Sequence, residues 1–161
     1  MSALVMGIGN ILLMDEAAEV KVIENLLSRY IVPADVEVID GGTLGLELLE
    51  YLRNKKHVYV ADAAKTGNVP GTIVRLEGAA VPAFFTTKIS PHQLGLSDLL
   101  AVAMLTNSMP EHIVFFGIEP KIIETGLELS EEVQGKISGL ADMIADELKK
   151  NGYNIEPKNN L

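Results

Sequence analysis

The sequence predicts a three-layer α/β/α fold, built on a twisted, mostly parallel five-stranded sheet in the order 2-1-3-5-4 with strand 4 antiparallel. Three observations carry that reading. Short apolar runs alternate along the chain with stretches of helical spacing. The link between the third and fourth runs is too short to hold a crossover helix. Right-handed crossovers then leave one natural order for the parallel strands.

The first run, residues 3–8, closes in Gly7-Ile8-Gly9-Asn10, after which Val20, Ile23, Leu27 and Tyr30 recur at helical spacing. Asp15 suits the N-cap of that helix, and Glu19, Lys21, Glu24 and Arg29 supply its wet face. Residues 36–39 form the second strand, closed by Asp40-Gly41-Gly42-Thr43, and residues 44–53 a second helix. The third strand, residues 58–61, stops at Asp62. Thr66-Gly67-Asn68 and Pro70-Gly71 fill the short link to residues 72–76, so the fourth strand is antiparallel and lies at an edge. A loop with Pro82, Phe84 and Phe85 leads to Ser90-Pro91-His92-Gln93, where Ser at the N-cap, Pro in the first turn and Gln at the third position start a helix running to about Leu105. Residues 113–116 are the fifth strand, and residues 130–151 a long amphipathic helix closed by Lys149, Lys150 and Gly152. Residues 1–152 thus read as a single domain and residues 153–161 as a polar, loose tail.

Composition narrows the function. The 161 residues carry 13 Lys and Arg against 22 Asp and Glu, a formal charge of -9 that disfavours nucleic acid and anionic lipid headgroups. The absence of cysteine excludes thiolate metal sites, iron-sulfur clusters and cysteine nucleophiles together. The opening residues lack a basic segment and a small-residue cleavage site, and no apolar run approaches the ~18 residues of a membrane span, so no membrane insertion and a cytoplasmic location are expected.

The familiar catalytic signatures are missing. Gly7-x-Gly9 lacks the third glycine of a dinucleotide fingerprint, since position 12 is Leu. There is no P-loop, no His-Glu-x-x-His helix, and Gly95-Leu96-Ser97-Asp98-Leu99 lacks the closing glycine of a nucleophile elbow. In an open sheet of this order, ligands collect beyond the carboxyl ends of the strands, where the winding reverses between strands one and three. Glu16 follows strand one, Asp62 ends strand three, and Asp40 ends the neighbouring strand two, so three carboxylates are expected at one crevice. Glu16, Asp62 and His92 form a candidate metal set of two carboxylates and one imidazole, with positions left open for water or substrate. Plain structural roles stand beside these: Glu16 complements a helix dipole, and Asp62 forms a turn. His92, in the first turn of a helix, meets a positive dipole end that keeps its ring neutral and available to a metal. His57 and His112 read as surface loop residues.

The segments Gly7-Ile8-Gly9-Asn10-Ile11-Leu12-Leu13-Met14-Asp15-Glu16, Asp40-Gly41-Gly42-Thr43, Ala61-Asp62-Ala63 and Lys88-Ile89-Ser90-Pro91-His92-Gln93-Leu94-Gly95-Leu96 resemble, in order and spacing, those of the nickel-iron hydrogenase maturation endopeptidases, most closely the hydrogenase-2 type. The resemblance runs from strand one through the helix after His92. It implies an α/β/α peptidase that removes the C-terminal extension of the hydrogenase large-subunit precursor after nickel insertion. It also implies metal contact through Glu16, Asp62 and His92, acting on nickel supplied by the substrate, with zinc or cadmium as substitutes in crystals. Asp40, Gly41, Gly42 and Thr43 are expected at the substrate, the glycines allowing a peptide to approach closely. A rival reading is a non-catalytic protein that holds the nickel-loaded precursor or a small anionic ligand. One departure stands out: where the family usually has glycine this chain has Glu19, expected as a solvated residue of an acidic first turn.

Overall fold

The computed structural model describes residues 2–8, 18–41, 46–87, 94–121 and 129–158. Its core is β1 (Ala3–Ile8), buried along its whole length, flanked in parallel by β3 (Val36–Asp40) and β4 (His57–Ala63). On the far side of β4 lies β6 (His112–Ile118), also parallel, and beyond it β5 (Ile73–Glu77), antiparallel with Ile73 opposite Ile118. The sheet order β3-β1-β4-β6-β5 is the expected 2-1-3-5-4, and its antiparallel member is at the edge.

Strand alternation divides the core in two. Ala3 and Val5 of β1 with Tyr59 and Ala61 of β4 face α1 (Ala18–Arg29) and α6 (Ile137–Lys150), whereas Leu4, Met6, Ile8, Val58 and Val60 face the opposite layer. That layer holds α2 (Leu49–Leu52), α3 (Ala80–Thr87) and α4 (Leu94–Leu105), which contribute Leu52, Val81, Leu99, Leu100 and Ala103 to the packing. Helix α1 buries Ala18, Val22, Ile23 and Leu26 and places Arg29 in its last turn, where a cation suits the dipole.

Several local expectations change. The second helix is shorter than residues 44–53 within its described part: a 3-10 turn at Leu46–Leu48 precedes α2, which stops at Leu52 because Arg53 is extended and Asn54 is left-handed at φ 63°. The loop expected around Pro82 and Phe84 is α3, with Pro82 in the first turn, where a missing N–H costs little. The expected capping segment of α4 lies outside the described residues. The long last helix is broken: Ser130 accepts a hydrogen bond from Val133 N at 3.4 Å to start α5 (Glu131–Gln134), and Lys136 N bonds Val133 O in a tight turn at Gly135 before α6 begins. Glycine is a poor interior helix residue, and the break falls there.

The chain after α6 is not loose in its described part. Tyr153 and Ile155 are each 2% exposed within the α1/α6 cluster, and β7 (Glu156–Pro157) pairs antiparallel with β2 (Tyr30–Ile31) at the end of α1. Both sheet edges carry charge. Arg75 of β5 reaches Glu147 of α6 and Glu77 of its own strand, and Glu37 of β3 pairs with Lys55 at 3.2 Å.

Candidate functional site

Asp62 is the next-to-last residue of β4 and is 1% exposed. Its register neighbours are Ile8, at the end of β1, and Gly117, near the end of β6. It therefore sits at the carboxyl end of the central strand and alternates onto the face of α3 and α4, with Val58 and Val60. Helix α4 ends shortly before the amino end of β6 and so runs down the sheet, with Leu94 toward the same carboxyl end. Gly117 was not anticipated. A Cβ there would lie 2.9 Å from Phe115 Cε1, 3.0 Å from Ala64 Cβ and 3.1 Å from Val74 Cγ2, so only glycine fits beside Asp62 without displacing its neighbours.

Asp40 ends β3 opposite Gly7 and is exposed, as a residue at the rim should be. It does not share the face of Asp62. Val38, two residues earlier, packs with the α1/α6 cluster while Ile39 packs with the other, so alternation turns Asp40 toward the α1 side. The two carboxylates thus flank one sheet end from opposite faces. Gly41 uses its missing side chain in an unexpected way. Its N–H donates to Gly7 O at 2.8 Å, and a Cβ on it would stand 2.9 Å from that oxygen, so the close backbone approach is made to β1 itself. Gly42, Thr43, Glu16 and His92 lie outside the described residues, so of the expected metal set only Asp62 can be placed. Among the described residues no three His, Asp or Glu side chains converge on a metal-binding point.

Two buried carboxylates near this end were missed or misread. Glu19, expected in water, is 1% exposed, and Val20 N donates to its Oε2 at 2.6 Å. The cause is Gly7, whose bare Cα lets the first turn of α1 settle onto β1. Glu119, 6% exposed just past β6, accepts from Thr66 N at 2.7 Å and from Asn68 N at 3.2 Å, which ties down the link that follows Asp62. Its backbone N–H also bonds Thr72 O at 2.8 Å. An acid directly before Pro120 at a strand end is the signal that could have marked it.

The histidines at the other end of the sheet also differ from expectation. His57 opens β4 and is 6% exposed rather than on the surface, with Nδ1 hydrogen-bonded to the Tyr153 hydroxyl at 2.7 Å. Its ring stacks on His112 at 4.9 Å, and His112 is exposed as expected. Burial first, and then the neighbouring His112 and Lys56, lower the His57 pKa below its ordinary value. A cleft of about 440 Å³ lined by Arg53, Lys55, Lys56, Ser108 and Glu111 opens at this amino end, away from Asp62.

Comparison with known proteins bears on the family and the fold. Residues 20–147 match the family model described as hydrogenase maturation protease. The chain is 42% identical to the hydrogenase 2 maturation protease of Escherichia coli (strain K12) over 98% of its own length and 97% of that protein's. It is 36% identical to the hydrogenase expression/formation protein HupD of Rhodobacter capsulatus, over 94% of this chain and 73% of that one. Among solved structures, the hydrogenase maturating endopeptidase HybD from E. coli superposes with a TM-score of 0.93 at 42% identity, covering 98% of each chain. The [NiFe] hydrogenase maturation protease HybD from Thermococcus kodakarensis does so at 0.74 and 27%, covering 92% of this chain and 99% of its own.

Proposed function

The chain belongs to the hydrogenase maturation protease family, and on that premise we propose that it removes the C-terminal extension of the nickel-iron hydrogenase large-subunit precursor once nickel has been inserted. The observation that carries the proposal is Asp62: a carboxylate almost wholly withdrawn from solvent at the carboxyl end of the central strand, beside a glycine whose surroundings leave no room for a side chain. Ligand chemistry in a sheet of this winding concentrates at that end.

In this reading the nickel arrives as part of the substrate. Carboxylate oxygen and neutral imidazole nitrogen suit a divalent first-row ion, and Asp62 with Glu16 and His92 would complete its coordination rather than hold a metal of their own. Without a thiolate such a set fills poorly at low free metal, which supports nickel as the recognition signal; zinc or cadmium would occupy the same donors in soaked crystals. Asp40, with the Gly41-Gly42-Thr43 segment after it, would guide the extension along the α1 side of the crevice. No helix among the described residues is long and apolar enough to cross a membrane, which fits a protease that meets its precursor in the cytoplasm.

The test uses protease stripped with chelator and then freed of it. It should shorten nickel-loaded precursor and leave nickel-free precursor intact, and Asp62→Ala should process neither while keeping its far-UV circular dichroism. Full processing by Asp62→Ala, or equal cutting of nickel-free precursor, would overturn the proposal.

A further inference from the structure

Glu119 is a buried carboxylate that the proposed chemistry does not use. It stands just past β6, 6% exposed, and its Oε1 accepts from Thr66 N at 2.7 Å, from Thr66 Oγ1 at 2.5 Å and from Asn68 N at 3.2 Å. Burying a carboxylate is costly unless hydrogen bonds replace its water, and here one oxygen collects three donors from a single link. The main chain of the same residue holds the far end of that link: Glu119 N donates to Thr72 O at 2.8 Å, and Gly71 N donates to Glu119 O at 2.8 Å. One residue thus grips the link between β4 and β5 at both ends.

The link begins where the proposed chemistry is. Asp62 itself is fixed by the sheet, between Ile8 and Gly117, and two residues later Ala64 N still donates to Ile118 O at 3.0 Å. Residues 65–72 lie outside any strand and turn through Gly67 at φ 84° and Gly71 at φ 89°, so their path over the carboxyl end of the sheet depends on what ties them. On its other side the link abuts α5, where a Cβ on Gly71 would stand 2.6 Å from Glu132 O. Held from both sides, it leaves Val69 75% exposed. An apolar side chain kept in water on a loop tied this firmly is a preorganised contact, because a partner that covers it need not order the chain first.

We infer that Glu119 is a positioning residue for the substrate rather than for the carboxylate of Asp62: it shapes residues 65–69 into a rim beyond Asp62, and the precursor bears on that rim at Val69. The inference rests on the function proposed above. It predicts a loss of binding and not of chemistry, because the ladder that fixes Asp62 does not involve the Glu119 side chain.

Glu119→Ala, Glu119→Gln, Val69→Asp and Asp62→Ala should be compared on nickel-loaded precursor at a temperature where circular dichroism shows each folded. Glu119→Ala should raise KM about tenfold and keep kcat within about twofold, the pattern of lost uniform binding. Glu119→Gln, which keeps an oxygen to accept from Thr66 N, should hold KM within about threefold of wild type. Hydrogen exchange at the Thr66 amide should quicken in Glu119→Ala and stay slow in Glu119→Gln and Val69→Asp. Val69→Asp, on an exposed side chain, should raise KM about as much as Glu119→Ala with the fold untouched, and so carries the test if Glu119→Ala does not fold. Wild-type KM in Val69→Asp, a fall in kcat at unchanged KM in Glu119→Ala, or unchanged Thr66 exchange in Glu119→Ala would each overturn the inference. Normal processing by Asp62→Ala is the separate result that refutes the proposed function, and it leaves the KM and exchange comparisons standing as tests of the rim.

Discussion

Replacing Tyr153 with Phe removes one oxygen from the end of the molecule opposite Asp62, and its cost follows from the surroundings. The hydroxyl is 2.7 Å from His57 Nδ1, both residues are buried, and the two rings meet edge to face at 5.3 Å. Phe keeps the ring contact and strands the imidazole nitrogen, which costs about 1 to 2 kcal/mol, the lower part of the range for a buried polar group left without its partner. For a chain of this length each kcal/mol moves Tm by about 2 to 4 °C, so Tm should fall by about 2 to 8 °C. Tyr153→Ala also loses the ring and should cost about 3 to 5 kcal/mol. The same site should make stability depend on pH. The folded pKa of His57 lies below its ordinary 6.5, so below that pH the unfolded chain takes up a proton that the folded protein refuses. Stability is fully present above 6.5 and is lost as pH falls toward the folded pKa. Burial is the leading cause, ahead of His112 and Lys56, while Glu111 opposes them, so the effect should survive Tyr153→Phe. Thermal unfolding by circular dichroism across this window, with His57→Gln as the variant that cannot titrate, isolates the term. A Phe variant within about 1 °C of wild type, or a wild-type minus His57→Gln difference that is flat with pH, would refute the reasoning.

Two further outcomes test the active end and the link beyond it. Asp40→Ala should raise the KM for precursor and leave metal capture by the remaining donors intact, as measured by cadmium or nickel binding; loss of the metal would make Asp40 a ligand. Gly71→Ala should destabilise the protein by about 1 to 3 kcal/mol in thermal unfolding, because Gly71 is left-handed at φ 89° and a Cβ would stand 2.6 Å from Glu132 O.

The sheet was legible in the sequence because each of its features had a local cause. Parallel strands buried on both faces read as continuous apolar runs, and the short link before β5, residues 64–72 in the structure, forbade a crossover, which fixed its direction and its place at the edge. Asp62 was legible for the same reason: it ends such a run. What escaped depended on partners distant in sequence. His57 and Tyr153 are 96 residues apart, and neither residue's neighbours in sequence announce that they hydrogen-bond. Glu19 looked solvated because a helical wheel sees only its own helix, whereas its burial is permitted by a glycine on β1. Gly117 lies near the end of β6 and Glu119 just past it, and their value lies in what stands across from them. The Asp40 and Asp62 pair shows a subtler limit. Their strand ends were placed correctly, but the faces to which they turn depend on register, which a slip of one residue reverses.

The charged edges of the sheet bear on how this protein behaves at high concentration. An open sheet offers unpaired backbone groups along its outer strands, and two copies could join there into a continuous sheet. On β5, a second chain laid alongside would have to accommodate Arg75, held by Glu147 and Glu77; on β3 it would meet the Glu37–Lys55 pair and then Asp40. Stripping water from those groups opposes edge-to-edge joining, and the excess of acidic residues over the whole chain adds mutual repulsion between copies. Charge at both edges thereby works against self-association along the sheet.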